Sequence, residues 1–485
     1  MKILIRSNSV EKEVPIFSGD TVFDAIVRSS LSVDAYCGGK GTCGKCKVYW
    51  VQEEKEVLAC RLPARDEMVI EMNNPADMQI LSTSLDKTLV INPAIQSDVG
   101  AYGVAVDIGT TTIVGYLLDL HTGEQRATIS MANPQRIRGA DVISRIAYTQ
   151  ANPDGVKRLQ AALISALNGM IAKLGQAANV EEEAVIAMTI AGNTVILHTL
   201  LGISAISIAN APLEPVFTDT KRLSPEELGI AINQHGQILI LPSVSGYVGA
   251  DVIAGLLVCD LEQQESYRLL IDIGTNGEIV LGNNQRMLAC STAAGPAFEG
   301  ANIACGMAGS LGAIASFRLQ EGKRMYETIG GVSPVGICGS GVMDVVAELL
   351  AHGFVDSTGA FVRPESLVRW QRSMITTVQN LSAFVVVPGT DGQQEIFFTQ
   401  RDLREVQLAK GAIQAGLFTL LKEAQISIQD IETVFLAGGF GNFVNVQSAC
   451  SVGLIPSELE KRVVRIGNGS GLGAKLCLLD KEQLA

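Results

Sequence analysis

Two stretches of this chain are near copies of one another. "VAVDIGTTTIVGYLLD" begins at Val104 and "LLIDIGTNGEIVLGN" at Leu269. Each is an apolar strand, then Asp-Ile-Gly-Thr, then a second apolar strand. The two units start at Asp107 and Asp272, 165 residues apart. Stacked solenoid repeats recur at about 20–50 residues, so this spacing predicts two homologous halves facing each other across a cleft. Strands alternate with helical patterns after about residue 100, which predicts an α/β architecture.

A tight turn with Gly at its bend and Thr after it presents backbone N–H groups and hydroxyls to phosphate oxygens. The preceding Asp can hold a water or Mg2+ that bridges those phosphates. Asp107, Gly109, Thr110, Thr111 and Thr112 on one side, and Asp272, Gly274, Thr275, Asn276 and Gly277 on the other, would then grip a triphosphate. One such turn is as readily an ordinary hairpin; two with the same flanks are a stronger signal. The pair resembles the acetate kinase, sugar kinase, Hsp70 and actin superfamily, whose fold is a duplicated ribonuclease-H-like α/β ATPase.

Other motifs suit the same cleft. "ICGSGVMDVVAELL" puts Gly339, Ser340 and Gly341 ahead of a helix, a ready anion contact. "VFLAGGFGNF" ends a strand in Gly438, Gly439 and Gly441, where missing side chains let an adenine ring lie close. "TQRDLREVQLAKGAIQAGLFTLL" reads as a helix with Thr399 and Asp402 as a capping box and Leu403, Val406, Ile413, Leu417 and Leu420 inward. Lys410 on that helix could reach a nucleotide or sit in solvent. Asn193 and Asp251 lie beside glycines at the ends of apolar segments, as caps or as part of the cleft; Asp251 or Glu278 could orient an attacking water. "GNGSGLGAKL" opens the last helix without a following βαβ unit, so NAD binding is rejected.

The first seventy residues are of another kind. "MKILIRSNSVEKEVPIF" reads as two strands around a turn, "SGDTVFDAIVRSS" as a short helix capped by Asp20, and "KVYWV" and "MVIEM" as further strands. That order suits an α+β β-grasp sheet. Between them lies "YCGGKGTCGKC", with Cys37, Cys43 and Cys46, and Cys60 fourteen positions on. Four soft thiolates at loop spacing suit iron–sulfur or zinc. Zinc ribbons more often pair two C-x2-C knuckles, and only one occurs here. The C-x5-C-x2-C spacing is one residue longer than the plant-type [2Fe–2S] pattern, as in the adrenodoxin-like ferredoxins that it resembles. Gly38, Gly39, Gly41 and Gly44 let the backbone wrap closely, and Lys40, Lys45 and Arg61 place positive charge nearby.

The net charge of -13 disfavours nucleic acid as a partner. Ala184 to Leu213 and Leu228 to Ala250 carry no Asp, Glu, Lys or Arg, but Gly, Asn, Pro and Gln break both, which suits buried strands better than a membrane span. The N-terminus lacks a secretory pattern, so a cytoplasmic protein is expected. The remaining cysteines, Cys259, Cys290, Cys305, Cys338, Cys450 and Cys477, are expected as free, buried thiols. The organisation read from these patterns is a [2Fe–2S] domain at 1–72, a linker at 73–99 and a two-part ATPase domain at 100–485.

The order of motifs resembles one family along nearly the whole chain. A Cys-Gly-Gly-x-Gly-x-Cys-Gly-x-Cys head precedes "DIGTT", "DIGTN", "CGSG", "AKGAI" and "AGGFG", as in the ATP-dependent reductive activators of corrinoid proteins. The resemblance implies Cys37, Cys43, Cys46 and Cys60 as [2Fe–2S] ligands and the two turns with the glycine-rich loops as an ATP–Mg2+ site. It further implies a low-potential electron donor, a corrinoid methyltransferase protein as acceptor, and a homodimeric habit. Longer relatives carry a further domain between head and ATPase. A plant-type cluster sits near about −400 mV, and corrinoid Co(II) is expected to be harder to reduce, so ATP must bias an uphill transfer. The alternatives are an ATP-coupled donor to another low-potential enzyme, or a redox-regulated kinase-like binding module.

Overall fold

The computed structural model describes residues 1–485 apart from 8–9, 30, 32, 34–38, 40, 42–43, 73–89, 94–100, 140, 391–393, 439–442 and 485. Alternating apolar residues at the N-terminus make a half-buried strand. The strands β1 (Lys2–Ser7), β2 (Val10–Pro15), β3 (Lys47–Trp50), β4 (Lys55–Leu58) and β5 (Val69–Met72) form one sheet in the order β2-β1-β5-β3-β4, with β1 parallel to β5. The helix Val22–Arg28 buries Val22, Phe23, Ala25 and Ile26 in the same core as Ile3, Ile5, Val48 and Ile70. This is the expected sheet with one helix. The cap is shifted by one residue: Thr21, not Asp20, caps the helix, because Thr21 and Asp24 stand at the spacing of a reciprocal capping box. Asp20 instead accepts the Phe17 amide at 2.8 Å and pairs with Arg28 at 2.9 Å.

The first half of the large part is a six-stranded sheet. Its strands are β6 (Tyr102–Ile108), β7 (Thr112–Asp119), β8 (Gln125–Ala132), β9 (Val185–Gly192), β10 (Lys221–Leu223) and β11 (Gln237–Ile240), in the order β10-β11-β9-β6-β7-β8. β9 is buried at every position, as an apolar run parallel to its neighbours requires. The helix Gly155–Ala178 covers this sheet with Leu159, Leu163, Leu167, Met170 and Leu174 inward at helical spacing.

The second half begins with β12 (Tyr267–Ile273), β13 (Gly277–Gly282) and β14 (Met287–Thr292). Two three-stranded sheets follow, formed by β15 (Ala313–Gln320), β16 (Lys323–Thr328) and β17 (Gly336–Ile337), then by β18 (Ile375–Val378), β19 (Leu381–Val387) and β20 (Ile396–Thr399). β21 (Ile431–Ala437) and β22 (Val463–Gly467) complete the sheet β14-β13-β12-β21-β22. Each half therefore contains an antiparallel meander whose first strand is followed, in parallel, by two more: β8-β7-β6-β9-β11 and β14-β13-β12-β21-β22. The duplication read from the two Asp-Ile-Gly-Thr units is a duplication of topology.

The helix Gln400–Ala424 buries the five expected residues, and Thr399 caps it reciprocally with Asp402. Asp402 accepts the Thr399 amide at 2.7 Å and hydroxyl at 2.8 Å, a cap worth about 1 kcal/mol. The helices Ala250–Cys259 and Gly469–Leu479 pack on each other and contribute to the cores of both halves. No helix among the described residues is long and apolar enough to cross a membrane. Cys259, Cys290, Cys305, Cys338, Cys450 and Cys477 are free and buried or half-buried, as expected.

Candidate functional site

A cavity of about 230 Å³ lies where the β6–β7 and β12–β13 turns meet. Gly109, Thr110, Thr111 and Thr112 line it from the first half, and Gly274, Thr275 and Asn276 from the second. Asp107, Asp251, Asp272 and Glu278 line it too, with Asn193, Gly339, Ser340 and Gly438. Gly438 ends β21 at φ +113°, a conformation that favours glycine, and a Cβ there would meet the Ile273 carbonyl at 2.2 Å. Gly277 and Gly341 pack beside the lining, against Thr292 with Ile413 and against Ile314. Lys410 is not among the residues lining the cavity; its ammonium donates to the Val452 carbonyl at 2.6 Å. Gly439 and Gly441 lie outside the described residues.

The four carboxyls are half-buried, and their charges act on one another. Burial raises Asp107, against hydrogen bonds from Ser470 and Asn468 that favour its charged form. Burial lifts Asp251 to about 7, helped by Asp107, and lifts Asp272 to about 7, helped by Asp251 and Asp107. Burial, then Asp251 and Asp272, push Glu278 well above the usual carboxylate range. Among the described residues no three His, Cys, Asp or Glu side chains are grouped to hold a metal ion.

These shifts set a pH dependence. A buried carboxyl whose pKa is raised keeps protons that the unfolded chain has shed, so its stabilising contribution falls as pH rises from about 4 and is gone above about 7. The nucleotide-free protein is expected to melt at progressively lower temperature from pH 5 to pH 7.5, while Mg–nucleotide affinity, which favours the ionised carboxylates, rises over the same interval. Scanning calorimetry and titration calorimetry across that range check both, and a melting temperature that climbs with pH would contradict the first.

Sequence reasoning missed Glu299, Ser470 and Asn468 among the lining residues. Glu299 bridges the two halves: its Oε2 accepts the hydroxyls of Thr111 and Thr275, each at 2.9 Å, and those hydroxyls are 3.3 Å apart. Ser470 donates to Asp107 Oδ1 at 2.7 Å, and Asn468 caps the same helix through the Gly471 amide. Both belong to "GNGSGLG", which was read only as a helix start. Asn193 does two jobs, capping the helix Thr194–Leu200 through Ile196 and donating to Thr110 Oγ1 at 3.1 Å. Arg145, buried behind the first turn, donates to the Thr110 carbonyl and to Gly139 O at 3.0 Å.

The repeat extends further than the two Asp-Ile-Gly-Thr units. β8 ends in "ANPQRIRG" (132–139) and β14 is followed by "AGPAFEG" (294–300), each a short helical turn with Pro at its start and Gly at its end. Arg136 from one turn and Phe298 with Glu299 from the other line the cavity. That pairing is the signal by which Glu299 is found in the sequence.

The cysteine loop belongs to the N-terminal sheet. Cys37 and Cys43 lie outside the described residues, as do Gly38 and Lys40. The hairpin β3–β4 is minimal, and its register, with the Ala59 amide on the Cys46 carbonyl at 2.8 Å, brings Cys46 Sγ and Cys60 Sγ to 3.2 Å as free thiols. Gly41, at φ +76°, leaves room for Arg61, whose Nη2 donates to the Gly41 carbonyl at 2.6 Å. Two soft donors converging beside a glycine loop braced by a cation fit the donor set of an iron–sulfur cluster.

Comparisons with known proteins agree along the chain. Residues 102–264 match the family described as the RACo middle region, and 266–485 the C-terminal domain of RACo, the ASKHA domain. The chain is 31% identical over 550 residues to the corrinoid activation enzyme RamQ of Eubacterium limosum, across 98% of this chain and 92% of that one. It is 25% identical over 415 residues to the Co(II) methylated amine-specific corrinoid protein reductase of Methanosarcina barkeri, across 79% of this chain and 71% of that one. Among solved structures, a reductive activator for corrinoid, iron-sulfur protein matches at a TM-score of 0.76 and 29% identity, covering 99% of this chain and 93% of that one. With its two equivalent turns on one cavity and this likeness over nearly its full length, the chain belongs to the family of reductive activators of corrinoid proteins.

Proposed function

We propose that this chain restores a stalled corrinoid protein by ATP-dependent one-electron reduction of its cobalt from Co(II) to Co(I). The observation that carries the reading is the convergence of two equivalent turns, one from each half, on a single cavity. Residues 1–72 form a ferredoxin-like head, 73–99 a linker, and 100–485 the ATPase. Cys37, Cys43, Cys46 and Cys60 would hold a [2Fe–2S] cluster, which when bound supplies a one-electron carrier. The partners are a low-potential donor and a corrinoid protein; the proposed setting is the cytoplasm, and a homodimer is consistent with the family.

In the cleft, the N–H groups and hydroxyls of both turns bind the phosphates, and Gly339 and Ser340 add the first turn of the helix Gly339–Ala351. Asp107 and Asp272 would hold Mg2+, which when bound supplies charge to offset that of the phosphates. Asp251, near 7, is matched to accept a proton from the attacking water. Burial, then Asp251 and Asp272, raise Glu278, while the Ser291 hydroxyl donates to its Oε1 at 3.1 Å; it serves as a hydrogen-bond partner, not as the base. ATP can bias the reduction only by binding two states of the cleft differently.

The test is anaerobic. Reduced protein is mixed with a Co(II) corrinoid protein, and the Co(I) spectrum is followed with and without Mg–ATP. Co(I) is expected only with ATP. Equal rates without ATP, or phosphate transfer to a small acceptor instead, would refute the reading.

A further inference from the structure

The head is moored to both halves of the ATPase, each time beside the nucleotide cavity. In the second half, Lys45 Nζ donates to three backbone carbonyls, Ile303 at 2.8 Å, Ala304 at 3.3 Å and Gly306 at 2.9 Å. Lys45 immediately precedes Cys46, so these carbonyls form a seat for the cysteine loop. In the first half, Ile137 packs against the core of the head. The two moorings are equivalent places in the repeat. Ile137 sits in the turn after β8, next to Arg136 of the cavity wall; the Lys45 seat begins four residues after Glu299, in the chain that leaves the turn after β14.

Glu299 makes this arrangement responsive. A carboxyl oxygen held by one threonine from each turn stands where a phosphate oxygen would be held. The side chain is half-buried; burial raises its pKa, while the Thr111 and Thr275 hydroxyls and then Arg145 favour the charged form. A triphosphate oxygen and Glu299 Oε2 cannot both occupy the place between these two hydroxyls, so one must leave. The segment 300–306 is short and otherwise pinned, with the Ala304 amide on Asp402 Oδ1 at 2.8 Å and the Met307 amide on the Ile337 carbonyl at 2.9 Å. Movement of Glu299 is therefore transmitted to the carbonyls that hold Lys45.

Resting on the function proposed above, we infer that Glu299 is a positioning residue that fills the phosphate seat of the empty cleft, and that its displacement by a triphosphate withdraws the 303–306 carbonyls from Lys45 and unseats the cysteine loop. The head is then docked without nucleotide and released with it, so the electron-carrying face is presented to a partner only in the ATP-bound state. Linkage makes the effect reciprocal: if nucleotide weakens the seat, loss of the seat strengthens nucleotide binding by the same factor.

The experiment uses the iron-loaded full chain and a non-hydrolysable ATP analogue with Mg2+, read by titration calorimetry and by hydrogen exchange. Saturating analogue is expected to speed exchange of the Ala304 and Gly306 amides. Glu299→Gln keeps the shape but exchanges charge-assisted hydrogen bonds for neutral ones of roughly half the strength, and is expected to bind the analogue about tenfold tighter. Lys45→Met, with iron content verified, is expected to bind it tighter as well and to show fast exchange at 303–306 before any nucleotide is added. Analogue that binds without changing exchange at 303–306 overturns this inference alone. So does weaker binding by Glu299→Gln, which would make Glu299 a ligand of the Mg–nucleotide. No binding by the unaltered protein overturns the ATPase reading and the inference with it.

Discussion

Cys60→Ser protein purified without oxygen is expected to be colourless, to hold at least about tenfold less iron than the unaltered chain, and to leave a Co(II) corrinoid partner unreduced even with ATP. The reason is local. Cys60 sits in the turn Ala59–Arg61 after β4, and the register of the minimal hairpin sets its sulfur 3.2 Å from that of Cys46. The hairpin register itself sets this pair, so losing one member removes that placement together with the ligand. Serine offers a hard oxygen in place of a soft thiolate. Cys60 is only half-buried, so the metal-free variant is expected to melt close to the unaltered metal-free protein. Cys450→Ser, in the helix Val446–Val452, is the control and is expected to keep its full iron. Iron and visible absorption retained by Cys60→Ser would remove that residue from the ligand set.

What the sequence made legible was whatever repeats or alternates. The two Asp-Ile-Gly-Thr units predict two halves, and the strand orders β8-β7-β6-β9-β11 and β14-β13-β12-β21-β22 are those halves. The spacing of Leu403, Val406, Ile413, Leu417 and Leu420 fixes a buried helical face because burial is the only force acting on that pattern. Residues that reach the cavity from turns were harder. Glu299 looks like an ordinary acidic residue between glycines until the turn after β14 is set beside the turn after β8. Ser470 and Asn468 were hidden in a motif weighed only for NAD. A lysine in mid-helix has a long reach, and periodicity does not say which carbonyl it finds; Lys410 donates to Val452. The cap moved from Asp20 to Thr21 because both are good capping residues, and only the partner three positions on, Asp24, decides between them. Contacts between distant parts, such as Lys45 with 303–306, have no local signature at all.

Asp251→Asn is expected to lower ATP turnover by about 100-fold or more while leaving Mg–nucleotide affinity at pH 8 within a few-fold. Asp251 opens the helix Ala250–Cys259, where its Oδ1 accepts the Val252 amide at 2.9 Å, so the carboxylate is oriented by the helix itself. With a pKa lifted to about 7 it is half ionised at neutral pH, the condition under which a general base is most effective. Glu278, whose Oε1 accepts the Ser291 hydroxyl at 3.1 Å, is placed as a hydrogen-bond partner; Glu278→Gln is therefore expected to cost less. The same substitution carries a second readout that a purely structural role would not produce. Asp251 is the leading charge that raises Asp272 after burial, and it is also first among the charges acting on Glu278. Removing it lets both ionise at lower pH, so the rise of Mg–nucleotide affinity with pH is expected to shift downward in Asp251→Asn. Turnover and pH profile thus separate two roles of one carboxyl. Turnover unchanged but profile shifted would make Asp251 an electrostatic neighbour and move the base elsewhere in the cavity; turnover lost with the profile in place would mean that Asp272 and Glu278 are raised by burial alone.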